Sequence, residues 1–199
     1  MAVADVKGIV GNGAIISYAS GAPITLTNDG SSAMGTGAIV GFGNSLSGVV
    51  PIGVMIDVTN LDNYAFSMPR RGIITSLSAS FTLKNMLALL GSNLIIEAQL
   101  YQSILSNKLS NPMPEPIFPI PGDLFYPIQS AVVPLALAGV PINGVIKGIT
   151  TSLNIEVPAE SRLLMVFSIP TRLGPIQSTP APVYTQSVTG YASAGVAIQ

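Results

Sequence analysis

The chain has 199 residues, no Cys, His or Trp, and a formal net charge of −1. Only 9% of its residues are charged, against roughly 25% in ordinary soluble proteins, while 48% are hydrophobic. Disulfides, thiolate nucleophiles, imidazole bases and the usual zinc ligands are therefore excluded. The eight Lys and Arg are scattered singly except for Arg70 and Arg71, which gives no basic stripe for a nucleic acid.

Such a charge-poor exterior does not keep a lone globule dispersed, so much of each subunit is expected to be buried against copies of itself. The longest uncharged run, Leu124 to Ile146, contains Pro127, Pro134, Pro141, Gly139 and Gly144, a spacing unsuited to a membrane-spanning helix. The expectation is a non-enzymatic protein with no cofactor, no metal, no nucleic acid and no membrane.

In chain order, Met1 to Val10 carries Asp5 and Lys7 and lacks both the basic n-region and the long h-region of a secretory signal. Gly11, Asn12 and Gly13 form a flexible joint. Residues 1–13 are read as an arm and 14–199 as one domain. The 20 Gly and 16 Pro punctuate the chain at short intervals, which favours short strands joined by turns.

Candidate strands are Ala14 to Ala19, Ile24 to Leu26, Ala38 to Phe42, Val54 to Val58 and Tyr64 to Ser67. From Ile73 to Leu83 the chain alternates, with Ile73, Leu77, Ala79, Phe81 and Leu83 facing inward and Ser76, Ser78, Ser80 and Thr82 outward. Leu83 to Leu90 is the one helix-like stretch. Between Asn93 and Gln102, Leu94, Ile96, Ala98 and Leu100 form an inner face, and Ile95, Glu97, Gln99 and Tyr101 an outer one. Five prolines between Ser106 and Pro121 suit an extended loop, as does Pro170 to Pro182.

Ala131 to Leu137 and Leu153 to Val157 are further strands. Arg162 to Ile169 is apolar on both sides and must be covered on both. In Val188 to Ile198, small residues among β-formers permit another backbone to come close, so this reads as an inner strand near a subunit contact. About ten short strands make an all-β sandwich or jelly roll.

Few residues carry chemistry. Gly35, Gly37 and Gly41 lack a GxGxxG frame and a following helix, and are read as turn glycines. Asp57, Asn60, Asp62 and Asn63 gather oxygens without EF-hand spacing, so a calcium loop is the alternative to a self-capping Asx turn, which is preferred. Arg70 and Arg71 sit in a turn and are read as solubilising. Glu156 and Glu160 flank Pro158 as turn residues, with Arg162 a candidate partner. With no His and no Ser-x-x-Lys frame, the serines have no general base.

Six stretches in order resemble the C-terminal domain of the BclA/BclB-type collagen-like exosporium glycoproteins of spore-forming bacteria. They are Ala14-Ile-Ile-Ser-Tyr-Ala-Ser-Gly21, Gly41-Phe-Gly-Asn44, Ala65-Phe-Ser-Met-Pro-Arg70, Ala98-Gln-Leu-Tyr-Gln-Ser103, Pro119-Ile-Pro-Gly122 and Gly190-Tyr-Ala-Ser-Ala-Gly195. The resemblance implies a jelly roll similar to tumour necrosis factor domains, a homotrimer, and display on the spore surface beside other spore-coat or exosporium proteins. It carries over no catalytic or ligand-binding residue.

Family members carry a long Gly-X-Y stalk before this domain. Here thirteen residues precede Ala14, and Gly8-Ile-Val-Gly11 is a single repeat step. The arm is therefore expected to link trimers into an appendage-like fibre through Val3, Val6, Ile9 and Val10, the alternative being a frayed terminus. Leu163, Met165, Phe167, Tyr191, Val196 and Ile198 are the candidate trimer-interface residues. The competing function is a trimeric recognition module that binds a host receptor or glycan through its loops.

Overall fold

A computed structural model describes residues 13–28, 35–50, 55–58, 64–87, 94–103, 124–170 and 186–199. Their regular structure is entirely β. In chain order the strands are β1 (Ala14–Ala19), β2 (Ile24–Asn28), β3 (Gly37–Val40), β4 (Ser45–Val49), β5 (Ile56–Asp57), β6 (Phe66–Ser67) and β7 (Gly72–Leu87). They continue with β8 (Ile95–Ser103), β9 (Leu124–Ala136), β10 (Val145–Thr150), β11 (Ile155–Val157), β12 (Arg162–Ser168) and β13 (Gln186–Ile198).

The thirteen described strands form two sheets. In the six-stranded sheet the long strands β7 and β13 lie side by side at the centre. The far edge of β13 carries β2 and then β1, and the far edge of β7 carries β11 and then β10. In the seven-stranded sheet the order is β4-β3-β12-β8-β9-β5, with β6 beside β3 on the same edge of β12.

Alternation explains the layering, because a strand with one apolar face has to bury it. Leu77, Phe81 and Leu83 of β7, Val188, Val196 and Ile198 of β13, Ile96, Ala98 and Leu100 of β8, and Leu163, Met165 and Phe167 of β12 interdigitate in one core. Gly190 of β13 faces this core for a steric reason: a Cβ there would lie 2.4 Å from Phe81 Cε1 and 2.3 Å from the Thr82 carbonyl oxygen. Among the described residues every buried side-chain nitrogen or oxygen has a hydrogen-bond partner. The two sheets are stitched at both sides, by Thr25 N–H donating to Ser47 Oγ (3.0 Å) and by Thr150 Oγ1 donating to the Val132 carbonyl (2.6 Å).

Several expectations need correction. The helix-like Leu83 to Leu90 is strand as far as Leu87, because β13 pairs with it through Val188 and Ser187. Ile73 faces out and Ile74 in, the reverse of the period-two reading. The register shift at Ala197/Ile198 loops out one extra residue, Thr75, and flips the alternation beyond it. Tyr101 is buried, not on a polar outer side. Glu156 pairs with Arg71 instead of Arg162, and the Arg162 guanidinium lies 5.4 Å from the Phe125 ring centroid. Strands β4 and β10 were not anticipated. Asn60, Asp62 and Asn63 of the candidate calcium loop and the Ser106 to Pro121 loop lie outside the described residues, as does all of the second proline loop after Pro170.

Candidate self-association face

The residues expected at a subunit contact divide sharply. Leu163, Met165 and Phe167 are completely buried within a single subunit, as is Val196, and Ile198 nearly so. They sit in the core between the sheets and have no surface to offer a partner, so their assignment to an interface is corrected. Arg162 to Ile169 is covered on both sides as its composition demands, but its own chain supplies both covers. Leu164 and Val166 on the other side pack into a second cluster with Ile39, Ile56, Tyr64, Tyr101 and Phe125. Val3, Val6, Ile9 and Val10 lie outside the described residues.

Of that set Tyr191 alone reaches the surface, at 41% exposure, and it identifies the face that sequence reasoning missed. Odd-numbered residues of β13 point away from the core, and their cross-strand neighbours extend the pattern over the sheet. One row reads Tyr191, Thr82, Val145; the next Ala19, Ser193, Ser80, Lys147; the next Ser17, Gly195, Ser78, Ile149; and then Ile15, Ala197, Ser76. The middle strands β7 and β13 therefore present almost nothing larger than Ser or Thr. Larger apolar side chains stand at the rims, with Ile15 75% and Ile149 65% exposed.

The hydroxyls of the face are partly spent on one another. Ser80 Oγ and Ser193 Oγ are 2.8 Å apart, and Thr25 Oγ1 and Thr189 Oγ1 3.0 Å. Lys84 Nζ donates to Asn143 Oδ1 at 2.9 Å and stands 5.7 Å from the Tyr191 ring centroid. Among the described residues the only carboxylate on the face is Glu156 at one corner, opposite Ile73 and ion-paired with Arg71. Four strand positions at about 4.8 Å spacing and about 12 residues at about 3.4 Å give a face of roughly 800 Å², the share each partner contributes to a standard interface.

A second exposed feature is the turn after β3. Phe42 is 50% exposed, yet its ring is held, stacked on Tyr18 with centroids 5.2 Å apart and edge-on to Phe66 at 6.3 Å. Its N–H donates to Asn44 Oδ1 (3.0 Å), and Gly43 N–H donates to the Ala19 carbonyl (2.9 Å). Gly43 has φ +105°, which favours glycine, and a Cβ on Gly21 would lie 2.0 Å from the Gly43 oxygen. Gly35 and Gly37 likewise serve close backbone approach, to the Thr27 and Phe167 carbonyls. Tyr18 beneath Phe42 donates to the Leu163 carbonyl (3.2 Å), and burial pushes its phenol well above the ordinary tyrosine range. The Tyr101 phenol is also raised, by burial first and then by the Glu97 charge.

Fold and face together define an all-β sandwich with an outer sheet surface whose middle strands carry small residues and little charge. No family model matches the chain. Among curated proteins it is similar to Collagen-like protein 1 of Acanthamoeba polyphaga mimivirus, with 30% identity over 203 residues. That alignment takes in 96% of this chain and 19% of the viral protein, so the chain spans about a fifth of its relative's length.

Proposed function

We propose that this protein is a structural, self-assembling subunit, with no catalytic role, and that copies associate through the outer face of the six-stranded sheet. The observation that carries the reading is the face itself: about as large as an interface half, with middle strands built mainly of Ser, Thr, Gly and Ala, and with Glu156 as its one carboxylate among the described residues. Similarity to a collagen-like protein supports a structural or surface role. The finer reading is a jelly-roll homotrimer on the spore surface, in the exosporium or an appendage, where the segment before Ala14 links trimers into a fibre. The order of motifs quoted above supports that placement.

The test is Gly195→Arg, measured by light scattering after gel filtration and by negative-stain imaging. A Cβ at Gly195 meets only Ser78 Oγ at 3.2 Å and Ile15 Cγ2 at 3.9 Å, so the subunit folds while the face is blocked. The expected result is wild-type protein at three times 20.5 kDa or larger, and the variant at the subunit mass. Variant and wild type of the same mass would sink the face as the contact. Wild-type filaments that fall to discrete trimers when residues 2 to 13 are deleted would support the linking role of the arm.

The recognition reading has one observation in its favour, the rigidly held, half-exposed Phe42 ring, whose free face suits a sugar or an apolar side chain. A glycan array with wild type and Phe42→Ala tests it, and identical profiles would remove it.

A further inference from the structure

Lys147 raises a problem that the proposed assembly has to solve. It points outward from β10 in the row Ser193, Ser80, Lys147. With Ser78, Ile149 and the backbone of Ala79, Gly148 and Ala194 it lines an open depression of about 420 Å³. Cross-strand neighbours stand about 5 Å apart at Cβ, which sets Ser80 between Lys147 on one side and Ser193 on the other. Ser80 and Ser193 share a single hydrogen bond, which leaves one of their two hydroxyl hydrogens to donate into the depression.

The side chains lining the depression are hydroxyl, ammonium and apolar groups, and among the described residues no carboxylate lines it. Among the described residues Asp57 and Glu97 belong to the seven-stranded sheet, and Glu160 lies in the turn before β12. Glu156 is held by Arg71, seven residues along β7 from the Lys147 row, or about 20 Å. Lys84, another cation of the face, has Asn143 as its acceptor. A second copy laid on this face would take Lys147 out of water, and among the described residues the same face of that copy brings one acid, Glu156 at its corner, already paired with Arg71. An unpaired buried ammonium is costly, whereas one paired and hydrogen-bonded is not.

We infer that the depression takes up an oxyanion of the phosphate or carboxylate class, held by the Lys147 ammonium with the Ser80 and Ser193 hydroxyls, and that assembly is thereby linked to anion binding. The inference rests on the self-association face proposed above. Charge-assisted bonds to an oxygen anion are the strong ones, and a ligand that binds the assembled form more tightly than the free subunit shifts the equilibrium toward assembly by mass action.

The experiment is sedimentation velocity across a dilution series, in sodium chloride and in inorganic phosphate at matched ionic strength, for wild type and Lys147→Met. Phosphate is expected to lower the midpoint concentration of wild-type assembly about tenfold, the effect of one charge-assisted contact. Lys147→Met is expected to assemble equally in both salts, which separates ion binding from the general salting-out action of phosphate. Equal wild-type midpoints in the two salts, or an undiminished phosphate response in Lys147→Met, would overturn the inference while leaving the face intact. Should wild type remain a monomer throughout, the self-association reading fails. The anion site is then judged by phosphorus NMR titration: saturable broadening lost in Lys147→Met upholds it, and none overturns it.

Discussion

Replacing Phe167 with Ala separates a core residue from an interface residue. The Phe167 side chain is fully buried inside one subunit, with its ring centroid 6.5 Å from that of Phe81. Truncating a buried Phe to Ala costs about 3–5 kcal/mol, the transfer term plus the cavity left behind. Total stability in a domain of this kind is about 5–15 kcal/mol, so the variant loses a large part of it. The melting temperature of a chain this long moves about 2–4 °C per kcal/mol, so a drop of roughly 6–20 °C is expected. The assay is urea unfolding followed by circular dichroism at two protein concentrations a hundredfold apart. Expected is a lower midpoint with the same difference between variant and wild type at both concentrations. A variant whose loss appears only on dilution, with the dissociated subunit as stable as wild type, would refute the placement of Phe167 in the core.

Gly190→Ala should cost more than about 2 kcal/mol, because overpacking of a close backbone contact forces a shift, and its Cβ would lie 2.3 Å from the Thr82 oxygen; thermal unfolding reads this. Tyr18 makes a pH prediction with a definite sign. Its folded phenol is raised above the ordinary value of 10.0, so stability is full below pH 10 and falls as pH rises beyond it, when only the unfolded chain ionises at this site. Tyr18→Phe should flatten that alkaline limb by up to about 1.4 kcal/mol per pH unit, measured by urea unfolding between pH 9 and 11. Glu156→Gln should change stability by less than about 0.5 kcal/mol, since the Arg71 and Glu156 side chains are 77% and 63% exposed; a larger loss in urea unfolding would count against that reading.

Alternation in Leu94 to Leu100 and in Leu77 to Leu83 was enough to place core strands, because burial on one face leaves a local signature. The bulge at Thr75 left none, so Ile73 and Ile74 came out reversed. β10 and β4 were missed because they are edge strands with Gly148 and Gly48 in them and little apolar face. The two-sided burial of Leu163 to Phe167 was legible, but not its source. Ile39, Tyr64 and Phe125 come from distant parts of the chain, and nothing in a local window separates them from a neighbouring subunit. For the outer face, parity along β13 was the available signal: it sets Tyr191, Ser193, Gly195 and Ala197 opposite Val196 and Ile198. Size does not tell the sides apart, since Tyr191, Val196 and Ile198 are all large, whereas parity separates the exposed Tyr191 from the buried pair.

The place of β13 between β7 and the pair β1 and β2 bears on the order of events during synthesis. The N-terminal strands have no described partner in their own sheet except β13, which pairs Ala14 with Ile198 and Ile24 with Gly190. Until Gln186 to Ile198 has been made, β1 and β2 lack their ladder partner and β7 has one edge open, and the core lacks Val188, Val196 and Ile198. Contacts closed over such separations form slowly. The sandwich therefore closes only after β13 has been made, and the face proposed for self-association is complete only then.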